Sequence, residues 1–150
     1  MAEDRDLLLR NYRQMREEML SAIEGLSDEL MTERSLDGWS VCDHLAHIAV
    51  WDDIRAGEVE RISAGHGSAW RMSGEQDAAY NDLTYALRQG MSVDQVRWEL
   101  AKSRERLLEA ISSAPPRGLD ASLYGEAGLN STHEAAHADW IRRWRAERGI

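Results

Sequence analysis

Residues 37–53, DGWSVCDHLAHIAVWDD, decide the fold, because they pass from turn chemistry through a helix start into a helical apolar period. The Ser40 hydroxyl suits an N-cap, and Asp43 three residues on completes a capping pair. Val41, Leu45, Ile48, Val59 and Ile62 then recur at helical spacing, which predicts a helix over 41–63 that SAGHGS (63–68) terminates. Upstream, Leu8, Tyr12, Met15, Met19, Ile23 and Leu26 form one stripe, predicting a first helix over about 4–26. Between the two, SDELMTERSLDGWS (27–40) breaks the period and is rich in turn and capping types. Downstream, GEQDAAYNDLTYALRQG (74–90) predicts a shorter helix or an irregular crossover. Ser92 caps a third long helix over 93–113, with Val93, Val96, Leu100, Leu107 and Ile111 inward, ending before Pro115 and Pro116. After PPRGLDASLYGEAGLN (115–130), Ser131 and Glu134 match a capping box that starts a last helix near 132.

No segment alternates with period two for long enough to form a sheet, so four long amphipathic helices predict an all-α four-helix bundle. Roughly 27 residues separate helices two and three, which predicts one long crossover rather than a tight turn. With 150 residues and 43% hydrophobic content, the chain reads as a single domain, 1–150, able to bury about two-thirds of its unfolded surface. The 18 basic and 27 acidic residues give a formal charge of −9, which repels nucleic acid and anionic membranes. No apolar run approaches the roughly 18 residues of a spanning helix. The N-terminal MAEDRDLLLR lacks the apolar core of a signal peptide, and the one cysteine, Cys42, has no partner for an internal disulfide. A cytoplasmic protein is the expectation.

Two histidines four residues apart, His133 and His137, project from one face of the last helix and can grip one ion. They share a stripe with Ala136, Trp140, Ile141 and Trp144. Helix two offers a third ligand in His44 or His47, and three histidines would leave a coordination position for water or substrate. The plain alternative is that these histidines pack and hydrogen-bond in the core. Spacing alone does not choose between the readings, nor between His44 and His47, although His44 lies nearer the centre of the apolar stripe.

GWSVCDHLAHIAVWDD (38–53), following an amphipathic first helix, and STHEAAHADWIRRW (131–144) together resemble the DinB-like and YfiT-like superfamily of four-helix bundles. The resemblance covers nearly the whole chain and rests on Trp39, Ser40, His47, Trp51, His133 and His137. It implies a metal triad of His47, His133 and His137 that holds a divalent ion, nickel or zinc. His44 stands where the family carries an apolar residue, and is read as a core histidine or one that supports the site from behind.

The resemblance also implies a metal-dependent enzyme acting on a small molecule, by thiol S-transferase-like or hydrolytic chemistry. Three neutral imidazoles leave the ion its positive charge, so it can acidify a water or a low-molecular-weight thiol. Glu134 and Asp43 are the candidate proton acceptors. A non-catalytic metal-stabilised or small-molecule-binding bundle of stress response is the alternative. Cys42 reads as a small buried residue rather than a ligand or nucleophile. Trp51, Trp140 and Trp144 fit core or pocket-lining positions, whereas Trp98 falls off the inward stripe, compatible with the homodimer such bundles often form. Arg142, Arg143, Arg145 and Arg148 sit near a helix C-terminus, where cations offset the dipole.

Overall fold

The computed structural model describes residues 2–150. Six α-helices follow one another: α1 (Arg5–Ile23), α2 (Asp28–Thr32), α3 (Val41–Ser63), α4 (Gly74–Leu87), α5 (Val93–Ser113) and α6 (His133–Arg148). Two short 3₁₀ segments, Pro116–Leu119 and Ala121–Leu123, lie between α5 and α6. The four long helices of the sequence reading are α1, α3, α5 and α6, and they form the all-helical bundle. α3 packs chiefly against α5, and α1 against α6.

The first helix stops at Ile23, short of 26, because Gly25 takes a positive φ of 79° that a continuing helix excludes. Ser27 then caps the five-residue α2, accepting from the Leu30 N–H. At 36–39 the chain makes a tight hairpin turn, with Asp37 and Gly38 at φ of 53° and 88° and Leu36 and Trp39 exchanging backbone hydrogen bonds at 3.0 Å. That turn delivers Ser40 to the head of α3 as the expected capping box. The Asp43 N–H donates to Ser40 Oγ at 3.1 Å, and the Ser40 N–H donates to Asp43 Oδ2 at 2.8 Å.

α3 is the axis of the molecule and is buried on nearly every side. One end packs Val41, Leu45, Ile48 and Ala49 with Met19, Ile23, Val96, Leu100 and Ile141. The other packs Ala56, Val59 and Ile62 with Leu8, Tyr12, Leu107 and Ile111. The crossover forms α4 and a strap, residues 64–73. Buried Glu58 ties the strap to α3, accepting from the Ala69 N–H at 3.0 Å and bonding Ser68 Oγ and Arg61. Trp51 and Ile54 bury against Trp70, Met72 and Tyr80 under this strap. Among the described residues, no helix is long and apolar enough to cross a membrane.

Candidate metal centre

The capping box expected at the start of α6 does not form. The N-cap is Thr132 with no side-chain bond, and Ser131 Oγ accepts from the His133 N–H at 3.2 Å. Glu134 instead turns into the core, where Arg16 Nε donates to Oε1 at 2.6 Å and Arg104 bonds Oε2. Asp52 lies beside it, accepting from Arg16 at 2.9 Å and from Arg104 at 3.0 and 3.1 Å, with Arg55 3.6 Å away. Arg16 and Arg104 also donate to the Leu100 and Tyr12 carbonyls. Two carboxylates and three guanidiniums thus join α1, α3, α5 and α6 in a buried network. Buried charges persist only when paired and fully hydrogen-bonded.

This network fixes the first turn of α6 against α3, and so positions the histidines. His47 Nε2 lies 3.1 Å from His133 Nε2, which lies 2.9 Å from His137 Nε2. One ligand atom from each of the three falls within 4.8 Å of the others. The ring nitrogens therefore converge on one point between α3 and α6. His47 and His137 are buried and His133 is half-buried. Desolvation drives all of them toward the neutral form: His47 is lowered to about 3, with the neighbouring His133 adding, and His137 to about 2 for the same two reasons. His133 is lowered too, first by burial and then by Arg55. Neutral imidazole is the ligating form.

His44 lies behind His137, with the two Nδ1 atoms 2.7 Å apart, and burial lowers its pKa to about 4. It lies outside the convergent trio. A cleft of about 540 Å³ opens over the four histidines, lined also by Trp39, Trp140 and Trp144, with Asp37, Arg143 and Glu147 at its polar edge. Trp39 stacks on Tyr85 at 5.4 Å and meets the edges of His44 and His47. Trp140 is 45% exposed, so it is a cleft wall beside His137 rather than a core residue. Trp98, 61% exposed, is on the surface of α5 as its off-stripe position predicts. Cys42 is buried, and desolvation pushes its thiol up to about 11, which leaves it inert at neutral pH.

The donor set suits a divalent transition ion. Three imidazoles are the ligand type that zinc, nickel and copper share. Nitrogen spacings of 2.9 and 3.1 Å approach the roughly 3.3 Å edge of a tetrahedron with bonds of about 2.0–2.1 Å. His47 Nδ1 is buried with no partner, so its proton sits on that nitrogen at no loss to the lone pair of Nε2.

Fold and site together define an all-helical bundle with a histidine cluster that can hold a metal ion. The chain belongs to the DinB superfamily, whose profile matches residues 11–142. Its fold is similar to that of an uncharacterised protein from Escherichia coli UTI89, at 15% identity and a TM-score of 0.77, covering 97% of this chain and 95% of that one. It is also similar to a protein from Streptococcus pneumoniae, at 10% identity and a TM-score of 0.73, covering 97% of this chain and 92% of that one. No curated protein matches the chain.

The sequence reading missed the buried network. Its signal was present: Arg16, Asp52 and Arg104 stand at core positions of apolar stripes, in the series 12, 16, 19; 44, 48, 52; and 100, 104, 107. A charged residue on an apolar stripe calls for an opposite charge on a facing helix.

Proposed function

We propose that the protein is a divalent-metal-dependent enzyme acting on a small molecule, with His47, His133 and His137 as the ligands and thiol transfer to an electrophile as the reaction. The observation that carries this reading is the convergence of three Nε2 atoms under a cleft large enough for a small molecule. A divalent ion such as nickel or zinc supplies positive charge that turns a thiol or a water into a nucleophile near neutral pH. The protein's own part is to hold three imidazoles neutral and aimed, and to present indole walls to an apolar portion of the substrate. Arg143, at the cleft edge, makes no ion pair among the described residues and is placed to meet an anionic group.

The carboxylates favour thiol transfer over hydrolysis. Both residues expected as proton acceptors are committed elsewhere: Glu134 to Arg16 and Arg104, and Asp43 to the Ser40 N–H and the Gln89 amide at 3.0 Å. A water needs a base more than a thiol does, since a thiol's own pKa is only about 8.5. A homodimer acting in the cytoplasm remains part of the proposal.

The test is turnover of metal-loaded protein with a low-molecular-weight thiol and an aryl halide, beside an ester substrate without thiol, for the wild type and His47→Ala. Thiol consumption that disappears in a folded His47→Ala supports the reading. Ester hydrolysis alone would move the assignment to hydrolase. No turnover, with His47→Ala losing its metal and much of its stability, would leave a metal-stabilised bundle.

A further inference from the structure

We propose that His44 is a positioning residue for the three-histidine centre: its Nδ1 accepts the Nδ1–H of His137, holding that ring in the tautomer and orientation that aim Nε2 at His47 and His133. The inference rests on the metal-site reading given above and concerns a residue outside the triad.

A neutral imidazole carries one N–H and one lone pair. His137 Nε2 belongs to the convergent trio, 2.9 Å from His133 Nε2, so a lone pair there requires the proton on Nδ1. That Nδ1 lies 2.7 Å from His44 Nδ1, and two nitrogens so close cannot both bear a hydrogen along the same line. His44 Nδ1 is therefore the acceptor, and the His44 proton is on Nε2.

That assignment leaves His44 Nε2 as a buried donor with no hydrogen-bond partner, in a ring whose neighbours include the indoles of Trp39 and Trp140 at 5.2 and 6.0 Å. An apolar ring at position 44 would pack among the same indoles without the unpaired donor. The side chain's one hydrogen bond among the described residues is the one to His137. His47 offers the contrast, since its Nδ1 has no such support. A partner on the far nitrogen fixes the tautomer of a ligating histidine and raises its basicity. His44 thus serves the ligand behind which it stands rather than the stability of the core.

The experiment compares the wild type, His44→Phe and His44→Gln. Three quantities are read: zinc affinity by competition with a chromophoric chelator, melting temperature of the metal-free protein, and the His137 tautomer in the metal-free protein by long-range ¹H–¹⁵N NMR. The expected result is about a 10- to 100-fold weaker zinc affinity in His44→Phe, with no fall in melting temperature. Partial recovery is expected in His44→Gln, whose amide oxygen can accept the same hydrogen bond. The wild-type His137 proton should sit on Nδ1, and His44→Phe should shift that population. Zinc affinity within about twofold of wild type in His44→Phe, or equal losses in both variants, would overturn the role of His44 and leave the triad standing. A wild-type His137 proton on Nε2 would overturn it as well. A wild type that takes up no zinc would remove the triad reading, and the proposal with it. Were His44→Phe unable to fold, His44→Gln and the wild-type tautomer would still decide.

Discussion

Replacing Arg104 with Met removes the guanidinium that ties α5 to both buried carboxylates. Arg104 bonds both oxygens of Asp52 at 3.0 and 3.1 Å, one oxygen of Glu134, and the Tyr12 carbonyl at 2.6 Å. In Arg104→Met, Asp52 and Glu134 stay in the core, 1% and 3% exposed, with Arg16 and the more distant Arg55 as their remaining cations. Breaking a buried ion cluster by removing one partner costs about 3–5 kcal/mol. Arg16 still holds both carboxylates, so the lower end, about 3 kcal/mol, applies. With a urea slope of about 2 kcal/mol/M, the unfolding midpoint falls by about 1.5 M, which the fluorescence of the buried tryptophans Trp51 and Trp144 reports. A cycle with Glu134→Gln should show a coupling of about 1–3 kcal/mol, because the two groups share one hydrogen bond and one set of neighbours. Glu134 lies between His133 and His137 on α6, so zinc affinity should fall alongside stability. A loss below about 1 kcal/mol, the range of exposed pairs, would show that the network does not anchor α6.

The metal-free protein should lose stability as pH falls below 6.5. Burial lowers the folded pKa of His44, His47, His133 and His137, so between the folded and unfolded values the unfolded chain binds more protons. Each histidine kept neutral then contributes a slope of up to about 1.4 kcal/mol per pH unit. Urea midpoints at pH 7.5, 6 and 5 check this, and a flat profile would contradict the burial. Zinc at 100 times its dissociation constant should stabilise the wild type by about 2.7 kcal/mol. His133→Ala should abolish that increment in calorimetry. Gly125→Ala should destabilise by about 1–3 kcal/mol, since its Cβ would meet the Trp70 carbonyl oxygen at 2.0 Å and Ser68 Oγ at 2.9 Å. Amide exchange at Ala69 would report the strap lifting from Glu58.

The long helices were legible because α1 and α5 each carry one clean apolar stripe bounded by capping serines or acids. α3 was legible in extent but not in its faces. It is covered on nearly every side, so a single-stripe reading ranked His44 above His47 although both are buried and only His47 joins the convergent trio. The family resemblance supplied what periodicity could not. Glu134 misled for a different reason: its spacing from Ser131 mimics a capping box, but Arg16 and Arg104 are stronger partners for a carboxylate than a backbone N–H. The cleft drew on residues from four segments, with Trp39 delivered by the Asp37-Gly38 turn, a placement no local pattern specifies.

The most direct measurement is metal content per chain by elemental analysis, on protein purified without an affinity tag, beside His133→Ala. About one equivalent of a divalent transition ion, lost in the variant, is the result that the convergent nitrogens predict. Metal absent from the wild type, and not taken up on adding nickel or zinc, would contradict the central claim and leave a bundle with packed histidines.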